Sequence, residues 1–225
     1  MKGLKSMKSG SRQAKLLLAL LLAPGMLFPS ISSAQSVAVD PTESAMGRAE
    51  IEAVLPELRK GGYVFYIRHA ATEHSKKDNV SVDLEDCASQ RPLSMEGREQ
   101  ATNIGKAFVK LAIPVGDVLS SPFCRCKDTA SLAFGRIEVD ENLFFVMTLG
   151  RKEKQKKAAY LRSLITSKLA NSSNRIIVSH TSNLKESVGI WPKPEGVVFI
   201  FRPDGNNHYT RIGHILPETW KEFIR

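Results

Sequence analysis

Two histidines and two arginines stand where short apolar runs end. Arg68-His69 closes the run Tyr63 to Ile67, Arg125 follows the Ser121-Pro122 turn after Asp117 to Leu119, and Ser179-His180 closes the run from Arg175. Guanidinium groups match phosphate oxygens with paired N–H donors and stay charged at any physiological pH. An imidazole beside two such cations loses its proton readily, because the neighbouring charge disfavours the imidazolium, and the neutral ring is a nucleophile. The set suits the binding and transfer of a phosphoryl group. A lone histidine or arginine is usually structural or solvated, so the reading rests on their conjunction at three run ends.

These side chains meet only if the runs are neighbouring strands. Ile51, Val54, Leu55 and Leu58 fall at helical spacing, and Gly61-Gly62 ends that helix. Tyr63 to Ile67 is continuous, apolar and of strand length, as in a strand buried on both faces of a parallel sheet. Helices are predicted from about Ser94 to Leu111, Arg125 to Phe134 and Lys156 to Ala170. Strands are predicted at Asp117 to Leu119, Arg136 to Val139 and Arg175 to Ser179. Val197 to Phe201 and Tyr209 to Ile212 form a pair joined by Asp204-Gly205-Asn206-Asn207, a turn sequence. Alternating strands and helices argue for an α/β fold with a mostly parallel central sheet, whose ligands bind outside the carboxyl ends of the strands.

The chain has 225 residues, 32 Lys+Arg against 23 Asp+Glu, and a net charge of +9. Taken whole, that charge suggests nucleic acid or an acidic membrane. Five of the cations, Lys2, Lys5, Lys8, Arg12 and Lys15, precede the apolar stretch Leu16 to Ala23, with small residues at Ser32-Ser33-Ala34. This is the order of a secretory signal cleaved near Ala34. Pro24, Gly25 and Pro29 interrupt the stretch, and a membrane span needs about 20 apolar residues. The expected organisation is a signal peptide at 1–34, a linker at 35–50 and one domain at 51–225, exported to a periplasm or secreted, with no membrane span in the mature chain. Removing the five cations leaves 27 against 23, a net +4, and Arg151 to Lys157 alone carries +4. No nucleic-acid partner is expected. The basic run is expected to be a solvated helix entrance, with the sharper reading that it attracts an anionic substrate or an acidic envelope surface.

Four segments resemble the histidine phosphatase superfamily, the phosphoglycerate mutase-like, branch 1 type. Tyr66-Ile67-Arg68-His69-Ala70 is similar to its strand-end Arg-His-Gly signature, with alanine in place of glycine. Leu93-Ser94-Met95-Glu96-Gly97-Arg98-Glu99-Gln100-Ala101 resembles its Leu-Thr-x-x-Gly-x-x-Gln-Ala helix start. Ser121 to Ala130 matches Ser-Pro-x-x-Arg-x-x-x-Thr-Ala, and Ser179-His180 resembles its Gly-His. The resemblance implies a three-layer αβα sandwich and a histidine acid phosphatase-type phosphoric monoester hydrolase. In it His69 would become phosphohistidine while Arg68, Arg125 and His180 stabilise the equatorial oxygens. Thr72 and Ser75 lie where the family places further phosphate contacts, and the amide of Thr181, opening a helix, is another donor. Ser121 reads as a turn residue and Asp128 as helix surface. Trp191-Pro192 and Trp220 read as packing.

The leaving oxygen of a phosphomonoester needs a proton, and here the sequence departs from the family. Where many members carry a glutamate after the second arginine the chain reads Leu143-Phe144-Phe145, and His180-Thr181 replaces His-Asp. Glu141, Asp140, Glu73 and Asp78 are the nearby carboxylates, with Glu141 the possible proton donor. Without a donor, good leaving groups such as phosphohistidine, acyl phosphates or anhydrides would be favoured. The loop Glu73 to Gln90 enters directly from His69, and reads as a substrate-selecting lid or as a solvated charged loop. In an oxidising compartment Cys87 can pair with Cys124, pinning this loop, or with Cys126. Three cysteines and five histidines show no paired ligand spacing, so no metal or cofactor is expected.

The expected activity is metal-independent hydrolysis of a small-molecule phosphate, an envelope sugar phosphate or a phosphoprotein through a phosphohistidine intermediate. The alternative is a catalytically weak or inactive phosphoryl-ligand binding protein of the same fold. Binding alone needs only the arginines, so two histidines favour the enzyme. A mutase fits less well, since nothing in the chain would retain a second phosphate.

Overall fold

In a computed structural model, residues 44–79, 82–169 and 172–225 are described. The predicted signal segment and most of the linker lie outside the described residues. Among these residues are five α-helices and six strands: α1 (Arg48–Leu58), β1 (Val64–Arg68), α2 (Met95–Lys110), β2 (Val115–Ser120), α3 (Cys124–Phe134), β3 (Glu138–Val139), α4 (Arg151–Thr166), β4 (Asn174–Ser179), α5 (Thr181–Val188), β5 (Val198–Gly205) and β6 (His208–Ile215). Before α1, Met46 is buried and its amide donates to the carbonyl of His214 at 2.8 Å.

The strands form one sheet in the order β3-β2-β4-β1-β5-β6. β1, β2, β3 and β4 pair in parallel, and β5 runs antiparallel to both β1 and β6. The expected mostly parallel sheet is thus present. β1 is apolar from Val64 to Ile67 because alternate side chains enter two different cores. Phe65 and Ile67 pack with Ile51, Phe108 and Trp220, whereas Val64 and Tyr66 pack with Leu161, Ile165 and Leu184. Helices α1, α2 and α3 therefore cover one face, and α4 and α5 the other. Each fully buried side chain of this size contributes about 1.5–3 kcal/mol.

Helix α4 starts at Arg151, five residues before the expected Lys156. Its buried stripe begins only at Ala158, so the apolar period marks just the second half of the helix. The basic run forms its first two turns. Lys157 folds back, donating to the carbonyl of Glu141 at 2.7 Å. No helix among the described residues is long and apolar enough to cross a membrane.

The register sets the heights of the strand ends. Arg68 is level with Ser179 across β1 and β4, and Ser120 is level with Val178 across β2 and β4. The chain leaves three adjacent strands at nearly one height, and the residues that follow converge there. Helix α2 closes the turn after β1 from behind. Its N-cap Ser94 accepts from the amide of Gly97, and a Cβ on Gly97 would lie 1.9 Å from the carbonyl oxygen of Ala71. The glycine of the α2 motif is thus required by backbone contact. Gly97→Ala is expected to destabilise the protein by about 1–3 kcal/mol, read from urea unfolding. An ordinary helical Gly→Ala exchange would instead stabilise it by about 1 kcal/mol, and that result would remove the close-contact account.

Candidate active site

His69 and His180 follow the paired residues Arg68 and Ser179, so their rings sit side by side with centroids 5.5 Å apart. Both are almost fully buried. His69 Nδ1 lies 3.1 Å from the carbonyl oxygen of Ala70. A carbonyl can only accept, so Nδ1 carries the proton and the neutral ring keeps its lone pair on Nε2. Burial first, and then the charge of Arg125, hold the His69 imidazole well below its ordinary pKa. Burial likewise depresses His180, reinforced by Arg125 and His69. The His180 ring is boxed by Phe123 and Phe145, each 5.1 Å away. Its Nε2 lies 2.9 Å from Ser121 Oγ, and the Tyr66 hydroxyl donates to its carbonyl at 2.6 Å.

The remaining motif residues hold the turn after β1. Thr129 Oγ1 accepts from the Ala70 amide at 3.0 Å and donates to the Arg125 carbonyl at 2.7 Å, and Gln100 Oε1 accepts from the Ala71 amide at 2.9 Å. Ala70 is buried, and among the described non-glycine residues positive φ occurs only at Ala112, Asn206 and Asn207. Alanine therefore satisfies this position without strain.

Each arginine is steered by a carboxylate. One terminal nitrogen of Arg125 donates to both oxygens of Asp78, at 3.0 and 3.2 Å, and its guanidinium lies 4.5 Å over the Phe123 ring. Arg68 donates to Glu195 at 3.1 Å and to the Pro192 carbonyl at 3.3 Å. The Nε groups of Arg68 and Arg125 are buried without an acceptor among the described residues. Glu195 also accepts from the Thr72 amide at 2.8 Å and from the Thr72 hydroxyl, and lies 3.6 Å from Arg91.

A cavity of about 290 Å³ opens above His69 and His180, at the small end of ligand pockets. Arg68, Arg91, Arg125 and Lys193 line it with a single carboxylate, Asp78, so its charge favours an anion. Thr181 also lines it. Thr72 does not, because its hydroxyl is committed to Glu195, and Ser75 is exposed with its hydroxyl on Glu73 at 2.8 Å. Glu141 is exposed on a turn outside the cavity. None of the residues Arg151 to Lys157 reaches it. Phosphate contacts expected from Thr72 and Ser75, and acid from Glu141, are thus not brought together with His69.

Three residues escaped the sequence reading. Arg91 sits just before the α2 motif, on the loop returning to the site, where its position beside that motif was a usable signal. Glu195 has no local signal, lying 127 residues beyond Arg68. Ser121, read as a turn residue, is a buried partner of His180.

Cys87 is bonded to Cys124, the first residue of α3, and Cys126 is free and buried. Burial pushes the Cys126 thiol up to about 12. Next to the bridge, Gln90 accepts from the Cys124 amide at 2.9 Å, so the loop bearing Asp78 and Arg91 is tied to the helix bearing Arg125. In the chain-entropy view such a cross-link is worth about 4 kcal/mol.

Residues 64–144 match the sequence profile of the histidine phosphatase superfamily (branch 1), the family read from the motifs. The match contains Arg68, His69 and Arg125, while His180 lies beyond it. Among solved structures, the fold is similar to a mutant phosphoserine phosphatase from Entamoeba histolytica in complex with phosphoserine. Identity is 14%, 70% of this chain and 98% of that chain are covered, and the TM-score is 0.51. The protein histidine phosphatase SixA complexed with tungstate gives 18% identity, 69% and 97% coverage and a TM-score of 0.48. Ecdysone phosphate phosphatase from Bombix mori with tungstate gives 16%, 69% and 93%, and 0.48. At these identities the likeness concerns the fold. No curated protein sequence matches the chain.

The buried neutral imidazoles set a pH dependence. Both folded-state pKa values are depressed, whereas the unfolded rings titrate near 6.5. Below about pH 6.5 the unfolded chain binds more protons, so stability falls as pH falls, with a slope of up to about 1.4 kcal/mol per pH unit for each ring. Urea midpoints measured from pH 7 to pH 5 should fall less steeply in His69→Asn and His180→Asn than in the wild type. Parallel slopes in all three proteins would mean that neither ring is held neutral.

Proposed function

We propose that this protein is an exported phosphatase that moves a phosphoryl group from a phosphomonoester to Nε2 of His69 and then to water, without a metal. The observation that carries the reading is the contact of His69 Nδ1 with the Ala70 carbonyl beside a cationic cavity. Its Nδ1 proton is bound to the Ala70 carbonyl, which leaves Nε2 as the ring's nucleophilic atom, and the depressed pKa keeps that atom unprotonated. The profile match over residues 64–144 supports the same chemistry.

In the first step the Nε2–P bond forms as the bond from phosphorus to the ester oxygen breaks. Arg68, Arg125 and Arg91 line the cavity and supply fixed positive charge for the equatorial oxygens, and His180, held by Ser121, supplies a further polar contact. Preorganised charge of this kind takes the place of a metal ion as charge neutraliser. In the second step water attacks phosphorus, the N–P bond breaks, and inorganic phosphate leaves with His69 again neutral. Asp78 is the carboxylate in the cavity, beside Arg125. We assign it the proton transfer: in its protonated form it gives its proton to the leaving oxygen in the first step, and the carboxylate so formed takes one from the attacking water in the second, which restores the acid. This role replaces the one expected of Glu141. Export accords with the cysteine bridge, since such bonds persist in oxidising compartments.

Hydrolysis of a chromogenic aryl phosphate should proceed equally with and without chelator, and His69→Ala should lower kcat by about a thousandfold or more. A variant as active as the wild type would remove the phosphohistidine route, and loss of activity with chelator would indicate a metal enzyme. Asp78→Asn should reduce turnover of an alkyl phosphate about a hundredfold, and that of an aryl phosphate much less, because a phenolate leaves without help. Equal losses on both substrates would leave Asp78 as a partner of Arg125 only.

A further inference from the structure

The cavity is lined by cations, but large apolar side chains line it too. Six large hydrophobic side chains are exposed among the described residues, and two of them, Trp191 at 48% and Met147 at 58%, line this one cavity. Phe145 lines it as well. Trp191 and Trp220 were both read as packing residues, yet only Trp220 is buried, at 0% exposure. Exposed apolar surface gathered at a binding cavity marks a ligand contact more often than surface scattered singly.

These walls are held in fixed relation to the phosphoryl site. The residue after Trp191, Pro192, accepts from Arg68 through its carbonyl, and Glu195 on the same segment takes a second Arg68 donor. The Trp191 ring itself lies under two ammonium groups, Lys185 at 4.6 Å and Lys193 at 5.4 Å, which hold it by cation–π attraction. Opposite in sequence but lining the same cavity, the turn bearing Met147 is pinned to α5 by the amide of Val146, which donates to Asn183 at 3.3 Å. Phe145 lies 5.1 Å from His180 and faces the Arg125 guanidinium at 6.0 Å. An ester bound with phosphorus at His69 has these side chains among the walls around its alcohol portion.

We propose that Trp191, Met147 and Phe145 form the leaving-group subsite, and that the enzyme selects phosphomonoesters whose alcohol bears a flat apolar group close to the ester oxygen. The proposal rests on the phosphatase reading above and names its substrate class. Phe145 and Met147 offer the hydroxyls of a sugar no hydrogen-bond partner, and the polar groups of this cavity, such as Arg91, Thr181, Ser182 and Lys193, are left to the phosphoryl end. A flat apolar group covers Trp191 and Met147 and removes their surface from water.

Benzyl phosphate and methyl phosphate separate this subsite from leaving-group acidity, because both release alkoxides with a similar need for a proton. The wild type should show kcat/KM for benzyl phosphate about tenfold or more above that for methyl phosphate. Trp191→Ala and Met147→Ala should each shrink this ratio several-fold. Binding is read independently in His69→Ala by tryptophan emission. The chain has two tryptophans, and since Trp220 is fully buried, the change on adding ligand reports Trp191. Benzyl phosphate should perturb the emission at concentrations about tenfold lower than methyl phosphate or glucose 6-phosphate. A benzyl-to-methyl ratio near one, a ratio unmoved by Trp191→Ala, or tighter binding of glucose 6-phosphate would overturn the subsite while leaving the phosphatase reading intact. Undiminished turnover in His69→Ala would overturn that reading instead, with the binding comparison still reporting the walls.

Discussion

Parallel pairing of β1 with β4, with Arg68 level with Ser179, is the constraint from which the site follows. It brings two imidazoles to within 5.5 Å of each other in a place where water has little access. A one-residue slip would turn Arg68 and His69 to opposite faces. The two cores that sandwich the sheet enforce the register, because Phe65 and Ile67 fit only one of them and Val64 and Tyr66 only the other. Core packing and the geometry of the candidate site are thus the same fact seen from two sides of β1.

Gathering positive charge at a buried strand end is costly unless each cation finds a partner. Arg68 is met by Glu195, which also takes both donors of Thr72. Arg125 is met by Asp78 and by the face of Phe123. The two carboxylates differ in what they can do. Glu195 lies behind Arg68 with its oxygens committed, and so serves position, whereas Asp78 shares the cavity with His69. The loop that carries Asp78 would cost conformational entropy to hold there. The Cys87–Cys124 bridge and the contact from Gln90 to the Cys124 amide offset that cost at the helix that carries Arg125.

Charge elsewhere in the molecule has a different meaning. The net +9 divides between the predicted signal segment and the run Arg151 to Lys157, and that run forms the first turns of α4 outside the cavity. Lys157 is turned to the Glu141 carbonyl and lies near Glu153. The cations that line the cavity are Arg68, Arg91, Arg125 and Lys193, residues scattered among neutral and acidic neighbours. Composition therefore says little about the ligand, and the position of four side chains says much.

How much of this was legible in the chain depends on distance along it. The α/β class, β1, α2, α3 and the β5–β6 pair are local, written in apolar periods and turn residues that act over a few neighbours. Arg68, His69, Arg125 and His180 were legible because each ends or follows a strand, and the motif glycine Gly97 because backbone contact with Ala71 tolerates no Cβ. The start of α4 was not, since its first turns bury nothing. Neither was Glu195, whose role exists only through Arg68 and Thr72, nor the choice of Cys124 over Cys126 for Cys87, nor the exposure of Trp191. Those are outcomes of which surfaces meet when the sheet closes. Sequence by itself determined the elements and the candidate site groups, because propensity and chemistry belong to single residues. Tertiary structure alone decided counter-charge and cavity wall, because burial and contact belong to pairs of residues far apart in the chain.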